Sequence, residues 1–270
     1  MGIALLAALG LAAFLVTRPP VEAPAPVAPA TATAADTPRA ASVHGYRVVK
    51  TFPHDRSAFT QGLLYVDGVF YESTGLYEQS SLRKVAIETG EVLQRIDLPD
   101  DYFGEGLVDW DTTLVQLTWT TGVAFVYDRA SFRKLTQHTY TGEGWGLTKV
   151  DTHLVMSDGT PTIRLLDPKT FAVTSRVQVH DENGPVSALN ELEMVKGTLF
   201  ANVWGTDRVA MIDLASGRIT GWLDLTGLLP ARERARVDVV NGIAYDPAGD
   251  RLFVTGKWWP HVYQIEVIKK

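Results

Sequence analysis

The chain has 270 residues, 46% hydrophobic and 21% charged, which suits one large or two small globular domains. Its formal charge of -6, with the signs interspersed, argues against a nucleic-acid partner, which calls for a basic face. Cysteine is absent, so a disulfide framework and a thiolate metal site are excluded; the six histidines (His44, His54, His138, His153, His180, His261) include no pair at helical ligand spacing, so no zinc site is encoded locally.

In chain order, Gly2 to Thr17 is an almost uninterrupted apolar run followed by Arg18. It is short beside the roughly 20 residues of a membrane span and closer to a signal h-region, although no Lys or Arg precedes it and no clear small-x-small cleavage site follows. Pro19 to Ala41 is rich in Pro, Ala and Thr, cannot bury a core and reads as an extended linker. The expectation is a signal peptide or N-terminal anchor over 1–17, a linker over 18–42 and a folded domain over 43–270. The protein is then exported, to the periplasm or cell envelope, and any membrane attachment runs through residues 1–17.

From Val43 onward, period-two apolar alternation is punctuated by turn residues, with no long helical stripe. VFYEST, LRKVAI, the turn ETG and EVLQRIDL form one strand series. LVQLTW–VAFVYD–KLTQHTY, LVMSD–TIRLLD–VTSRVQV and LFANVW–VAMIDL–ITGWLDL repeat it, and LFVTGK–VYQIEV ends the chain one strand short. Each series follows a related stretch: AFTQGL, FGEGL, EGWGL, ALNEL, VNGI. These recur every 40 to 51 residues, the length of a four-stranded propeller blade. YRVVKTFPHD resembles the outer-strand segments and supplies the missing strand. The predicted fold is therefore all-β, a five-bladed β-propeller whose last blade is completed by the N-terminal strand, which removes open sheet edges. An antiparallel sandwich is the alternative.

The start of a blade's first strand and the end of its second lie on one face. Gln61, Glu105, Trp145, Asn190 and Asn241, each just ahead of a pivot taken to be small, make one ring there; Thr74, Trp119, Asp158, Trp204 and Lys257 make another. Phe59 and Phe103 feed the same mouth. The result is a pocket with aromatic walls and few charges, the usual make-up of a small-ligand site. Each residue also has a structural reading: the tryptophans as packing between blades, Asn190 and Asn241 as turn bonds, Glu105 as a solvated turn residue. Asp158 either pairs with Lys257 or caps a loop, Trp110 and Trp222 are structural, and His54 and His180 lie on the surface.

The motifs FTQGL, FGEGL, W-T-T-G, GEGWGL, LNELE, FANVW and NGIAY–TGK–W resemble the plant- and bacterial-type glutaminyl-peptide cyclotransferase family, from Tyr46 to Val267. That family is similar in architecture, a five-bladed propeller, and unrelated to the zinc-dependent animal enzymes of the same activity. The resemblance implies conversion of N-terminal glutamine in peptides or proteins to pyroglutamate with release of ammonia, needing no cofactor or metal. It implies Glu105 as the proton-transfer residue with Asn190 and Lys257 as polar partners. It further implies Phe59, Gln61, Phe103, Trp119, Trp145 and Trp204 as the substrate cage. A monomer is expected. Two other functions fit the residues: a calcium-dependent propeller lactonase or esterase, with Glu105, Asn190, Asn241 and Asp158 around a hard cation, and a non-catalytic peptide-binding propeller.

Overall fold

The computed structural model describes residues 40–270. The expected 1–17 segment and nearly all of the 18–42 linker lie outside the described residues. Strand β1 (Ser42–Pro53) opens the domain. It is followed by β2 (Thr60–Val66), β3 (Val69–Thr74), β4 (Ser81–Ala86) and β5 (Val92–Asp97), which form one antiparallel sheet in that order. The next sheet holds β6 (Gly104–Trp110), β7 (Thr113–Thr118), β8 (Val123–Asp128) and β9 (Lys134–Thr139). A third holds β10 (Leu147–Val150), β11 (His153–Met156), β12 (Thr162–Leu166) and β13 (Val173–Gln178).

After a short hairpin, β14 (His180–Asp181) and β15 (Gly184–Pro185), the chain makes β16 (Leu189–Val195), β17 (Thr198–Val203), β18 (Arg208–Asp213) and β19 (Arg218–Asp224). The single turn of helix α1 (Ala231–Arg234) then leads to β20 (Val240–Asp246), β21 (Arg251–Gly256) and β22 (His261–Lys269). β1 pairs antiparallel with β22, from His44 opposite Lys269 to Pro53 opposite His261, and so completes the last sheet as expected. One feature was not anticipated: Ser42 to His44 also pair in parallel with Gly221 to Leu223 of β19, stitching two neighbouring sheets together.

The first strands pack side by side in a closed cycle, β2 on β6, β6 on β10, β10 on β16, β16 on β20 and β20 on β2. This all-β propeller arrangement buries its apolar residues between successive sheets. Leu64, Tyr71 and Leu82 meet Leu107, Leu114 and Phe125, and Leu63 and Phe70 meet Phe253 and Val262 of the last sheet. The inner strands, covered on both faces by neighbouring sheets, are buried almost without a break, as in β3 and β7, whereas the outer strand β5 alternates between half-buried and exposed residues and β9 and β13 are largely exposed.

Glycine sets the tightness of the cycle. A Cβ on Gly62 would lie 2.6 Å from the Leu107 nitrogen, one on Gly106 2.5 Å from the Leu147 nitrogen, and one on Gly146 2.1 Å from the Asn190 carbonyl oxygen. Backbone meets backbone there, and no side chain fits. The pivots are not all small, however: the equivalent position on β16 is Glu191. Its Oε1 accepts from the Leu63 N–H at 3.3 Å and its Oε2 from the Ile243 N–H at 2.9 Å, so one carboxyl group joins β16 to β2 and to β20.

Candidate active site

The two residue rings lie on one mouth because the backbone pairs them there. The residue after a second strand donates its N–H to the carbonyl two residues before the first-ring residue: Gly75 to Phe59, Trp119 to Phe103, Trp204 to Ala188 and Lys257 to Val239. In β2, β6, β16 and β20 the ladder register shifts at Gln61, Glu105, Asn190 and Asn241 respectively. A bulge at that point re-aims a side chain that regular alternation would place elsewhere.

The geometry fixes which way the amides face. Asn241 Nδ2 donates to the Thr60 carbonyl at 3.1 Å and to Gln61 Oε1 at 3.2 Å, and Gln61 Nε2 donates to Glu105 Oε1 at 2.9 Å. A carbonyl only accepts, so Asn241 must present its amide nitrogen to Thr60; Gln61 then offers oxygen to Asn241 and N–H to Glu105. The relay ends on a carboxyl group that is 4% exposed. Burial pushes Glu105 well above the usual carboxylate range; Lys257 pulls it down and Glu143 adds to the rise. Glu105 is therefore held toward its neutral acid form.

Lys257 is buried with its ammonium 4.6 Å from the centre of the Phe59 ring. Burial lowers its pKa, and the charges of Glu105 and Asp238 oppose that shift. Asn190 is also buried, and its Oδ1 has no partner among the described residues.

Aromatic rings continue from Lys257 around the mouth. Phe59 meets Phe103 at 6.1 Å, Phe103 meets Trp119 at 5.6 Å, and Trp145 meets Trp204 at 6.3 Å. Trp204, 51% exposed, forms the outer rim. Thr74 does not join this set: Gly75 holds the position equivalent to Trp119, Trp204 and Lys257, and the Thr74 hydroxyl bonds Ser81 Oγ at 2.7 Å. Asp158 pairs with Arg164 rather than Lys257 and caps the Thr160 turn, so it is not one of a convergent set of cation ligands.

Three contributors escaped the sequence reading. Glu143 Oε2 accepts the indole N–H of Trp119 at 2.7 Å and that of Trp145 at 2.8 Å, tying two walls to one oxygen. It stands two residues ahead of Trp145, the same offset at which Phe59 and Phe103 precede Gln61 and Glu105, and that register was the available signal. Trp258 and Tyr77 extend the cage, with ring centres 4.8 Å from Phe59 and 5.5 Å from Phe103. Trp258 has a φ of 62°, uncommon for a bulky residue and a conformation that recurs at functional sites.

His54 corrects an expectation: its side chain is only 4% exposed, not on the surface. Nδ1 lies 2.7 Å from the Trp259 carbonyl and Nε2 2.9 Å from Glu72 Oε1. Both neighbours are acceptors, so both ring nitrogens donate and the ring is an imidazolium. Burial alone would lower its pKa, but Glu72, the Trp259 carbonyl and Asp55 outweigh this and raise it. Burial likewise would raise Glu72, yet His54, Arg83 and the Thr60 hydroxyl hold it down. A folded-state histidine pKa above the unfolded value of about 6.5 gives stability that is complete below that pH and is lost as pH rises through the folded pKa. Chemical unfolding should therefore show stability falling on the alkaline side, by at most about 1.4 kcal/mol per pH unit from this group. His54→Gln should lack that slope; an unchanged slope would exclude His54 as its source.

Comparison with known proteins agrees with this geometry. A family model described as glutamine cyclotransferase matches residues 22–267, beginning ahead of Tyr46, where the motif resemblance starts. A glutaminyl-peptide cyclotransferase from Arabidopsis thaliana is 43% identical over 233 residues, 83% of this chain and 72% of that protein. The crystal structure of Myxococcus xanthus glutaminyl cyclase aligns with a TM-score of 0.80 at 35% identity, over 85% of this chain and 99% of that one. The chain belongs to the glutamine cyclotransferase family.

Proposed function

We propose that this protein cyclises the N-terminal glutamine of peptides or proteins to pyroglutamate, releasing ammonia, with Glu105 as the proton shuttle. The observation that carries the reading is the buried Glu105 carboxyl at the end of an amide relay beneath an aromatic cage, in a member of this family.

Nucleophile and electrophile share one residue, so the site need only hold the rotamer that brings the α-amine to the γ-amide carbon. The aromatic walls supply that confinement. A free α-amine has a pKa of about 7.7 to 8.0, so much of it is protonated at neutral pH, and the departing nitrogen must gain a proton. The neutral fraction of the amine is the nucleophile, and Glu105 in its acid form relays to the leaving nitrogen the proton that the amine sheds on attack. Gln61 occupies one lone pair of Oε1, leaving the other to accept a proton from the attacking amine while the Oε2 hydroxyl donates to the leaving nitrogen. The carboxyl group ends with one proton, as it began.

We assign Lys257 to the amide oxygen, where negative charge develops in the tetrahedral intermediate. Asn190 offers its unpartnered Oδ1 to an N–H of the amine. Glu143 holds Trp119 and Trp145 in place and, as a like charge, keeps Glu105 toward its acid form. We read the closed cycle of first strands as five blades and the protein as a metal-independent monomer. The apolar Gly2–Thr17 sequence supports export; among the described residues no helix is long and apolar enough to cross a membrane.

The test is incubation of the purified protein with a short Gln-initiated peptide, with and without EDTA, followed by mass spectrometry. Loss of one ammonia above the spontaneous rate, insensitive to chelator, is expected. Activity that EDTA removes would overturn metal independence, and no loss from a folded protein would overturn cyclisation and point to the calcium-dependent lactonase reading.

A further inference from the structure

Beside the cage the surface charge departs from that of the chain. Arg56, Arg232, Glu233, Arg236 and Trp258 line a cavity of about 500 Å³. Arg56 comes from the connection between β1 and β2, and the other charged residues come from α1 and the turn after it. Glu233 is the only carboxylate in this lining. It stands 3.9 Å from the Arg56 guanidinium, 3.7 Å from that of Arg232 and 3.8 Å from His261 Nε2. None of these reaches hydrogen-bond distance, and one Glu233 oxygen is buried without a partner among the described residues. The Arg56 and Arg232 side chains remain 59% and 80% exposed. Arg236 is exposed too and pairs with no carboxylate among the described residues.

Three guanidinium groups thus face one carboxylate, leaving two positive charges in surplus on a chain whose formal net charge is -6. Trp258 is shared: it walls this cavity and packs 4.8 Å from Phe59, whose ring lies under the Lys257 ammonium. Its N–H donates to the Ala58 carbonyl at 2.7 Å, which pins the wall to the strand entry that carries Phe59 and Gln61. An extended peptide advances about 3.3 Å per residue, so one or two residues beyond a caged glutamine span the width of an indole ring.

We propose that the Arg56–Arg232–Arg236 cavity is a subsite for a carboxylate carried by the residues that directly follow the N-terminal glutamine, so that the enzyme prefers acidic substrates. This rests on the cyclase reading of the adjoining site. Guanidinium groups suit the role, since their planar donor forks match a carboxylate. The field of the cluster also draws anionic peptides to a mouth on an otherwise acidic molecule.

The experiment compares kcat/KM for C-terminally amidated peptides with Glu, Ala or Lys at positions two and three. A free-acid Gln-Ala dipeptide is added to separate a side-chain carboxylate from a terminal one. Exposed pairs are each worth little, so the Glu peptide should exceed the Ala peptide by about three- to tenfold at low salt, with Lys below Ala. The advantage should fade at about 0.5 M salt, where charges are screened within a few ångströms. Arg232→Ala with Arg236→Ala should remove the preference while leaving the Ala peptide unchanged, and charge reversal at both sites should favour Lys.

Equal rates for all three peptides, or a preference that survives the double substitution, would overturn the subsite while cyclisation stands. An advantage confined to the free-acid dipeptide would overturn the side-chain assignment. Binding of the same peptides by calorimetry runs alongside. If no peptide is cyclised the cyclase reading fails, and the calorimetric ranking then decides the subsite by the same criteria.

Discussion

Glu105→Gln is expected to lower kcat/KM for a Gln-initiated peptide by about 10²- to 10⁴-fold, the usual worth of a positioned proton-transfer group. The substitution keeps shape and volume. The amide oxygen still accepts from Gln61 Nε2, so the relay from Asn241 and the cage above it survive. What disappears is a group able to give one proton and take another at neutral pH. Peptide binding by calorimetry should therefore stay within a few-fold of wild type while ammonia release collapses. The pH profile supplies a second readout. Burial holds Glu105 well above the usual range, so its acid form persists to higher pH than that of an ordinary carboxyl group and is lost as pH rises through that raised pKa. The wild-type rate should fall on the alkaline side for this reason, and the residual rate of the variant should lack that limb. A variant retaining most of its activity would remove Glu105 from the shuttle.

Glu191→Ala is expected to destabilise the fold by about 2–6 kcal/mol, since it strands the buried N–H groups of Leu63 and Ile243, each worth about 1–3 kcal/mol when unpaired. Burial and neighbouring Glu193 raise the pKa of Glu191, against the two N–H bonds that favour its charge. Glu191→Gln separates volume from bonding: it fills the same space but sets an amide NH2 against one of the N–H donors, and should fall between wild type and Ala. Urea unfolding of the three proteins gives the order. Equal stability of Ala and wild type would mean that solvent replaces the carboxyl group at the axis.

Much of the fold was legible because strand alternation and the recurring pivot are local signals, and the missing last strand could be sought at the other end of the chain. The site rings were legible for the same reason, register, which brought Glu105, Gln61, Lys257 and the tryptophans to one mouth. What register could not give was partner choice. Asp158 turned to Arg164 although it was placed in the ring, and Thr74 lies one residue short of the ring position, which Gly75 holds. Glu191 was passed over as a pivot because its task is to reach across to β2 and β20, a contact over 128 residues in one case and 52 in the other. His54 looked exposed because its partners, Trp259 and Glu72, lie 205 and 18 residues away. Glu143 was hidden by the neighbouring tryptophan in the same motif.

The seam between β1 and β22 has a consequence for how the molecule is made. The strand that closes the last sheet is synthesised first and its partner last, so the cycle stays open until nearly the whole domain has been translated. Until then β1 and β21 present unpaired edges of the kind that invite intermolecular pairing. Closure depends on contacts between residues more than 200 positions apart, which makes it a slow step in reaching the native state. Substitutions along this seam should therefore reveal themselves in the yield of folded protein before they are felt in catalysis.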